Sequence, residues 1–250
     1  MNPTKISTAI QVIITKIDKR KNYYLVIDTE TANGLNNPLM YDLGGAIVDK
    51  KGNVYETFSF ILYETFCGMP ELMKTAYYNN KIPQYRKEIK EGSRKIVTIW
   101  TAKKHIQKIC SKYDVTAIIA HNMPFDYKST NGTLRYLTKS KYRYFLPCDI
   151  PVWCTLAMAQ STVCKQKSYK KWCEKNNYIV RGRVRATAEI LYKYMTGNND
   201  YAECHTGLED VLIEKEIFVW CIRQHKKMRK SPYNSKELSE EEKKFRGWEL

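Results

Sequence analysis

Tyr23–Ala32 reads Tyr-Tyr-Leu-Val-Ile-Asp-Thr-Glu-Thr-Ala. Five aromatic and aliphatic residues in a row give the composition of a buried strand, and the run ends in two carboxylates one residue apart. Successive side chains of a strand point to opposite faces, so Asp28 and Glu30 share a face. Two carboxylates side by side in a half-buried place repel each other and lose hydration. A divalent cation relieves both costs, so the pair reads as half of an oxygen-ligand site for Mg²⁺ or Mn²⁺. The same pair also suits a strand that runs into a solvated polar turn, and the pair alone does not choose between the two.

Downstream, residues 33–38 (Asn-Gly-Leu-Asn-Asn-Pro) are turn formers. Residues 40–49 read as a second strand with Gly44-Gly45 inside it, and glycine in a strand implies close approach of another backbone. Lys50-Lys51-Gly52-Asn53 reads as a hairpin turn, and Val54–Leu62 alternates into a third strand. Residues 63–97 are dense in charge over 81–94 and read as a helical insertion or a lid over one edge of the sheet.

From Thr101 the period turns helical, with Ile106, Ile109 and Cys110 on one face. Val115–Ala120 reads as a short buried strand. His121-Asn122-Met123-Pro124-Phe125-Asp126 follows directly, with a helix expected from Pro124 and Asp126 on its first turn. Ser129-Thr130-Asn131-Gly132-Thr133 is poor helix material, so that helix is expected to be short or broken, with a new one near Leu134. Residues 149–160 read as an apolar helix, and 186–195 as a short helix ending at Gly197. Thr206-Gly207-Leu208-Glu209 reads as a capping box that opens a long apolar helix over 207–226, with Asp210 in its first turns and His205 just before the cap.

The chain has 250 residues, 43% of them hydrophobic, and a net charge of +16. Such a charge calls for a polyanionic partner, with nucleic acid ahead of an anionic membrane surface. No apolar run approaches the roughly 20 residues of a membrane span, and residues 1–22 read as a leader segment without a signal-peptide core. None of the eight cysteines forms a Cys-x-x-Cys pair, so the expectation is reduced, buried thiols and a cytoplasmic location. Residues 164–185 are the most basic stretch. Lys170, Lys171, Arg181 and Arg183 there suit phosphate contacts, with Tyr169, Trp172 and Tyr178 available for stacking. A solvated basic helix face suits the same residues equally. Residues 228–250 read as a charged, loosely docked tail.

Taken together, the motifs Val26-Ile27-Asp28-Thr29-Glu30-Thr31, Ala120-His121-Asn122-Met123-Pro124-Phe125-Asp126 and Cys204-His205-Thr206-Gly207-Leu208-Glu209-Asp210 resemble those of the DEDD 3′–5′ exonucleases of the DnaQ-like group. The resemblance is to the branch with histidine in the third motif, which includes RNase T and polymerase proofreading subunits. It spans residues 23 to 223 and implies an α/β fold of the RNase H-like exonuclease type, a mixed central β-sheet flanked by helices over 23–227. It implies two Mg²⁺ or Mn²⁺ ions held by Asp28, Glu30, Asp126 and Asp210, with Asp28 shared between them and His205 as general base. It further implies that Thr29 and Thr31 meet the 3′-terminal nucleotide. Asn122, with His121, reads mainly as a turn residue behind the site and also as a candidate contact to nucleic acid.

The expected substrate is a single-stranded 3′ end, DNA first with RNA close behind. RNase T-like relatives dimerise, so a homodimer is among the implied assemblies. Two other readings remain open from sequence. One is a nucleic-acid-binding module that keeps the fold without cutting. The other is a domain whose tail docks a polymerase or repair partner.

Overall fold

The computed structural model describes residues 17–34 and 37–232. Most of the expected leader segment, residues 1–16, and the tail beyond residue 232 lie outside them. In chain order the elements are β1 (Tyr23–Ala32), β2 (Leu39–Asp49), β3 (Val54–Leu62), α1 (Tyr63–Phe66), α2 (Pro70–Met73), α3 (Ile82–Lys90) and β4 (Lys95–Val97). There follow α4 (Ile99–Tyr113), β5 (Val115–Ala120), α5 (Met123–Thr138), β6 (Val152–Cys154), α6 (Thr155–Ser161), α7 (Lys167–Lys175), β7 (Ile179–Val180), β8 (Arg183–Val184), α8 (Ala188–Thr196) and α9 (Gly207–Arg223).

Six strands form one mixed sheet in the order β4-β3-β2-β1-β5-β6. β1, β2 and β3 are an antiparallel meander, while β4, β5 and β6 join in parallel. This is an α/β architecture with a mixed central sheet and three antiparallel strands first, the arrangement that the resemblance implied. Among the described residues no helix is long and apolar enough to cross a membrane.

β1 lies inside the sheet and is covered on both faces, which is why its apolar residues are continuous rather than alternating. Tyr23, Leu25 and Ile27 pack into one core with α4 and α5. Tyr24 and Val26 pack into the other with α8 and α9. Asp28 and Glu30 continue the parity of Tyr24 and Val26, so the strand's alternation aims both acids at the α9 side. A β-bulge between Glu30 and Thr31 then shifts the register, and pairing with β2 continues at Thr31–Met40 and Ala32–Leu39.

The glycine pair in β2 does what a strand glycine is expected to do. A Cβ on Gly44 would lie 2.1 Å from the carbonyl carbon of Gly207 and 2.3 Å from the Leu208 nitrogen. The first turn of α9 therefore rests directly on β2. The α9 segment forms from Gly207 as expected and ends at Arg223.

Three expectations need correction. The helix after Asp126 is neither short nor broken: α5 runs 16 residues without interruption. Its weak helix formers are buried and bonded. Thr130 and Thr133 hydroxyls donate to the carbonyls four residues back, at 2.7 and 2.6 Å. The Thr133 hydroxyl also accepts the Met40 N–H at 2.8 Å, and Asn131 Oδ1 accepts the Phe145 N–H at 2.7 Å. The apolar stretch 149–160 is not all helix, because Val152–Cys154 adds a sixth strand beside β5. The tail does not begin loose: Lys230 carbonyl accepts the Cys154 N–H at 2.8 Å, and its ammonium lies over the Trp153 ring.

Residues 63–97 contribute α1 to α3 and the edge strand β4. Arg94 anchors them, its side chain only 3% exposed. Its guanidinium contacts Asp42 at 3.2 Å, Ser59 Oγ at 2.7 Å and Glu209 at 2.7 Å, and pairs with Glu88 as well. Asp42 also accepts the Tyr85 hydroxyl at 2.8 Å and the Gly207 N–H at 2.9 Å. A planar five-donor fork satisfies these acceptors together, and an ammonium does not. Arg94→Lys is accordingly expected to lower stability by about 2 kcal/mol, read as a shift of the urea midpoint. An unchanged midpoint would show that the fork geometry is irrelevant.

Candidate active site

The strand end, the start of α5 and the start of α9 converge on one cavity of about 590 Å³, whose wall includes Asp28, Glu30, Asn122, His205, Asp210 and Glu214. Asp28, Glu30 and Asp210 each place a carboxylate oxygen within 4.8 Å of the others. Asp126 stands behind them. Its Oδ1 accepts the Thr29 N–H at 3.1 Å and the Thr29 hydroxyl at 2.9 Å, which locks the start of α5 to the end of β1. Burial and the neighbouring acids Glu214, Asp126, Asp210 and Glu30 push the Asp28 carboxyl well above the usual carboxylate range. Burial, then Asp210 and Asp42, raises Glu30 to about 9. Burial, then Glu203, raises Asp210 to about 8. Asp126 rises to about 7 through burial, with the Thr29 hydrogen bonds opposing.

The α9 cap differs from the expected box. Thr206 is the N-cap residue, but its hydroxyl donates to Glu209 at 2.6 Å rather than capping the helix. Asp210, not Glu209, reaches back to accept the Thr206 N–H, at 3.0 Å. Glu209 turns away to Arg94. This bond fixes Asp210 through Oδ2 and leaves Oδ1 buried without a hydrogen-bond partner among the described residues. An unpartnered buried carboxylate oxygen, facing two acids whose protonation is forced upward, fits a hard divalent cation with oxygen ligands. Asp28, Glu30 and Asp210 could hold it, with Asp126 adjacent.

His205 lies on the same wall, with its backbone at φ 49°. Its ring stacks on Tyr78 at 4.2 Å between centroids and 11° between planes. Nδ1 is 3.9 Å from Glu203. Burial and then the charge of Lys81 hold its pKa below the usual histidine value. The ring is therefore neutral at pH 7, the state a proton acceptor needs. Glu203 rises to about 7 through burial and the nearby Glu189.

His121 is a packing residue. Nε2 contacts the Ala186 carbonyl at 2.8 Å and Nδ1 the Thr155 hydroxyl at 2.9 Å. A carbonyl only accepts, so Nε2 carries the proton and Nδ1 accepts from Thr155. Burial lowers its pKa to about 4. Asn122 caps α5 in the left-handed region at φ 64°. Thr29 and Thr31 line an adjoining cavity of about 370 Å³ with Tyr77, Tyr78 and Phe125, and Glu30, Tyr78 and Phe125 border both spaces. Lys170 and Lys171 are exposed on α7, and Arg181 and Arg183 belong to the β7–β8 hairpin. None of these four lines the cavity; Arg185, just after the hairpin, does.

Glu214 is the acid that the motifs did not single out. It is buried on α9, and its Oε2 accepts the His121 N–H at 2.9 Å. Burial and Asp126 raise its carboxyl well above the usual range. Its signal in the sequence is an acid one helical turn after Asp210, on the same face of the helix.

A carboxyl whose folded pKa is raised keeps a proton that the unfolded chain has already released. The stability this contributes is complete below the unfolded values near 4 and is lost as pH climbs through about 7 to 9. In chelator the melting temperature is therefore expected to fall between pH 5 and 9, and saturating Mn²⁺ to raise it by about 5–10 °C at pH 8. Equal melting curves with Mn²⁺ and with chelator would exclude a cation site here.

No family model matches the chain, and no curated protein does. Solved structures do. The nuclease domain of 3′hExo, a DEDDh family member bound to rAMP, is 13% identical over 86% of this chain and 98% of its own, with a TM-score of 0.48. A full-length 3′-exonuclease is 13% identical over 84% and 85%, with a TM-score of 0.46. The zinc-bound complex of E. coli ExoI with single-stranded DNA is 16% identical over 82% of this chain and 42% of that one, with a TM-score of 0.43.

Proposed function

We propose that this chain is a divalent-metal-dependent 3′–5′ exonuclease that releases nucleoside monophosphates from single-stranded ends, with DNA as first substrate and RNA close behind. The observation that carries the reading is the convergence of Asp28, Glu30 and Asp210 within 4.8 Å in a cavity that also holds His205. When bound, two divalent ions supply Lewis acidity at the attacking water and at the leaving oxygen. Asp28, Glu30, Asp210 and Asp126 provide the negative charge that selects and fixes the cations. His205, neutral at pH 7, accepts the proton of the attacking water at a ring nitrogen. Tyr78 holds that ring by stacking, and Glu203 stands beside Nδ1 to steady the cation formed. Thr29 ties Asp126 to the strand end, so the acids on β1 and α5 move as one unit.

Single-stranded DNA and RNA of one sequence, 5′-labelled, test this with Mg²⁺, with Mn²⁺ and with chelator. A ladder shortening from the 3′ end, with mononucleotide product and none in chelator, is expected. The faster substrate names the sugar, since discrimination rests on contacts to the 2′-hydroxyl. Tight binding of both strands without shortening of either would overturn the catalytic reading and leave a binding module.

A further inference from the structure

Away from the cavity, the structure carries a second concentration of cations and exposed rings. α5 begins at the catalytic cavity and crosses the sheet, touching β6, β5, β1 and β2. Its outward face carries Lys128, Gly132, Arg135, Tyr136 and Lys139, spaced at helical repeats, and its single acid, Asp126, is turned inward and buried. At 1.5 Å per residue its 16 residues extend about 24 Å.

At the far end the loop after α5 folds back over the helices. Arg135 Nε donates to the Arg143 carbonyl at 3.1 Å, and the Arg135 guanidinium lies 4.7 Å from the Tyr144 ring. Lys139 lies 4.5 Å from the Tyr136 ring, and Arg143 lies 5.0 Å from the Trp100 ring. These rings face solvent: Trp100 is 41%, Tyr136 48% and Tyr142 90% exposed. Among the described residues, no carboxylate forms a salt bridge with Arg135, Lys139, Lys141 or Arg143. A cavity of about 890 Å³ continues from Arg143 and Tyr142, with Asp114 and Asp149 on its wall.

Those four cations without acid partners and the rings open to solvent are the two elements of a single-strand track, one for phosphates and one for bases. We propose that the outer face of α5 and the patch of Trp100, Tyr136, Lys139, Lys141, Tyr142 and Arg143 form a secondary binding site for single-stranded nucleic acid. It grips the strand upstream of the 3′ end that occupies the catalytic cavity. The inference rests on the exonuclease reading for its direction, and on the patch itself for the class of ligand. At the 3.4 Å spacing of stacked nucleotides, 24 Å corresponds to about seven nucleotides. A stacked strand shorter than this does not reach the patch.

The test uses fluorescein-labelled oligothymidylates of about four and about twenty nucleotides, lengths below and above that span. Anisotropy is recorded in chelator, and turnover with Mg²⁺. Two variants are compared with wild type, K141E/R143E and Tyr142→Ala, the second at a ring too exposed to support the fold. Each is expected to weaken binding of the long oligomer about tenfold. Each is expected to leave turnover of the short one within about twofold, at an unchanged melting temperature. The charge-reversal variant should also show a shallower salt dependence, by about 0.7 for each phosphate no longer neutralised. Wild-type affinity for the long oligomer in both variants would overturn the proposal, as would equal losses on both lengths. If wild type shortens neither oligomer, the nuclease reading fails, while anisotropy still reports whether the patch binds the strand.

Discussion

Asp28→Asn is expected to lower 3′-end shortening about a thousandfold or more, equivalent to about 4 kcal/mol of lost transition-state stabilisation. Asp28 stands at the centre of the acid cluster. Its carboxyl feels Glu214, Asp126, Asp210 and Glu30 together. The amide keeps its shape and removes one unit of charge where a cation would be shared. The same change relieves repulsion in the cation-free protein, so the melting temperature in chelator is expected to rise while the shift on adding Mn²⁺ collapses. The opposite signs of these two effects separate loss of cation binding from loss of fold. An Asp28→Asn protein that shortens strands at near wild-type rate would remove the acid cluster from the chemistry.

The second large effect is expected from Gly44→Ala. Every atom that the new Cβ would meet first belongs to the α9 backbone: Gly207 carbonyl carbon at 2.1 Å, Leu208 nitrogen at 2.3 Å and Gly207 oxygen at 2.4 Å. No side-chain rotation relieves such a clash, so the start of α9 must move away from β2. That movement strains the Gly207 N–H bond to Asp42 and carries Asp210 and His205 away from Asp28. A loss of about 3 kcal/mol in stability is expected. Turnover is expected to fall about a hundredfold, the cost of misplacing reacting groups by about 1 Å. Gly132→Ala provides the contrast. Its Cβ would meet only the Pro38 oxygen, at 3.7 Å, inside a continuous helix. That change is expected to stabilise by about 0.5–1 kcal/mol. Equal stability of the Gly44→Ala protein and wild type, by denaturant midpoint, would show that α9 does not depend on this close approach.

What the sequence determined by itself is local and repetitive. The run from Tyr23 to Ile27 announces a strand buried on both faces, and the spacing of Asp28 and Glu30 puts both acids on one of them. Gly44 announces the close approach of another backbone. The apolar character of 207–223 announces a buried helix, and the three motifs name the residues that the fold collects.

Only the tertiary structure decided what depends on partners far away in the chain. β4 and β6 have three residues each, too few for any period to register, and they exist because β3 and β5 offer them edges. The polar run after Asp126 reads as a helix break. It stays helical because Met40 and Phe145 use its side chains, and because Thr29, 97 residues from Asp126, bonds the acid at its start. Asp210 takes the capping contact expected of Glu209 because buried Arg94, 115 residues away, pairs with Glu209. Glu214 becomes part of the site because α9 lies across β1. Periodicity encodes which face a side chain occupies. What meets it there is set by contacts closed over 14 to 115 residues, whose loop entropy the packed core offsets.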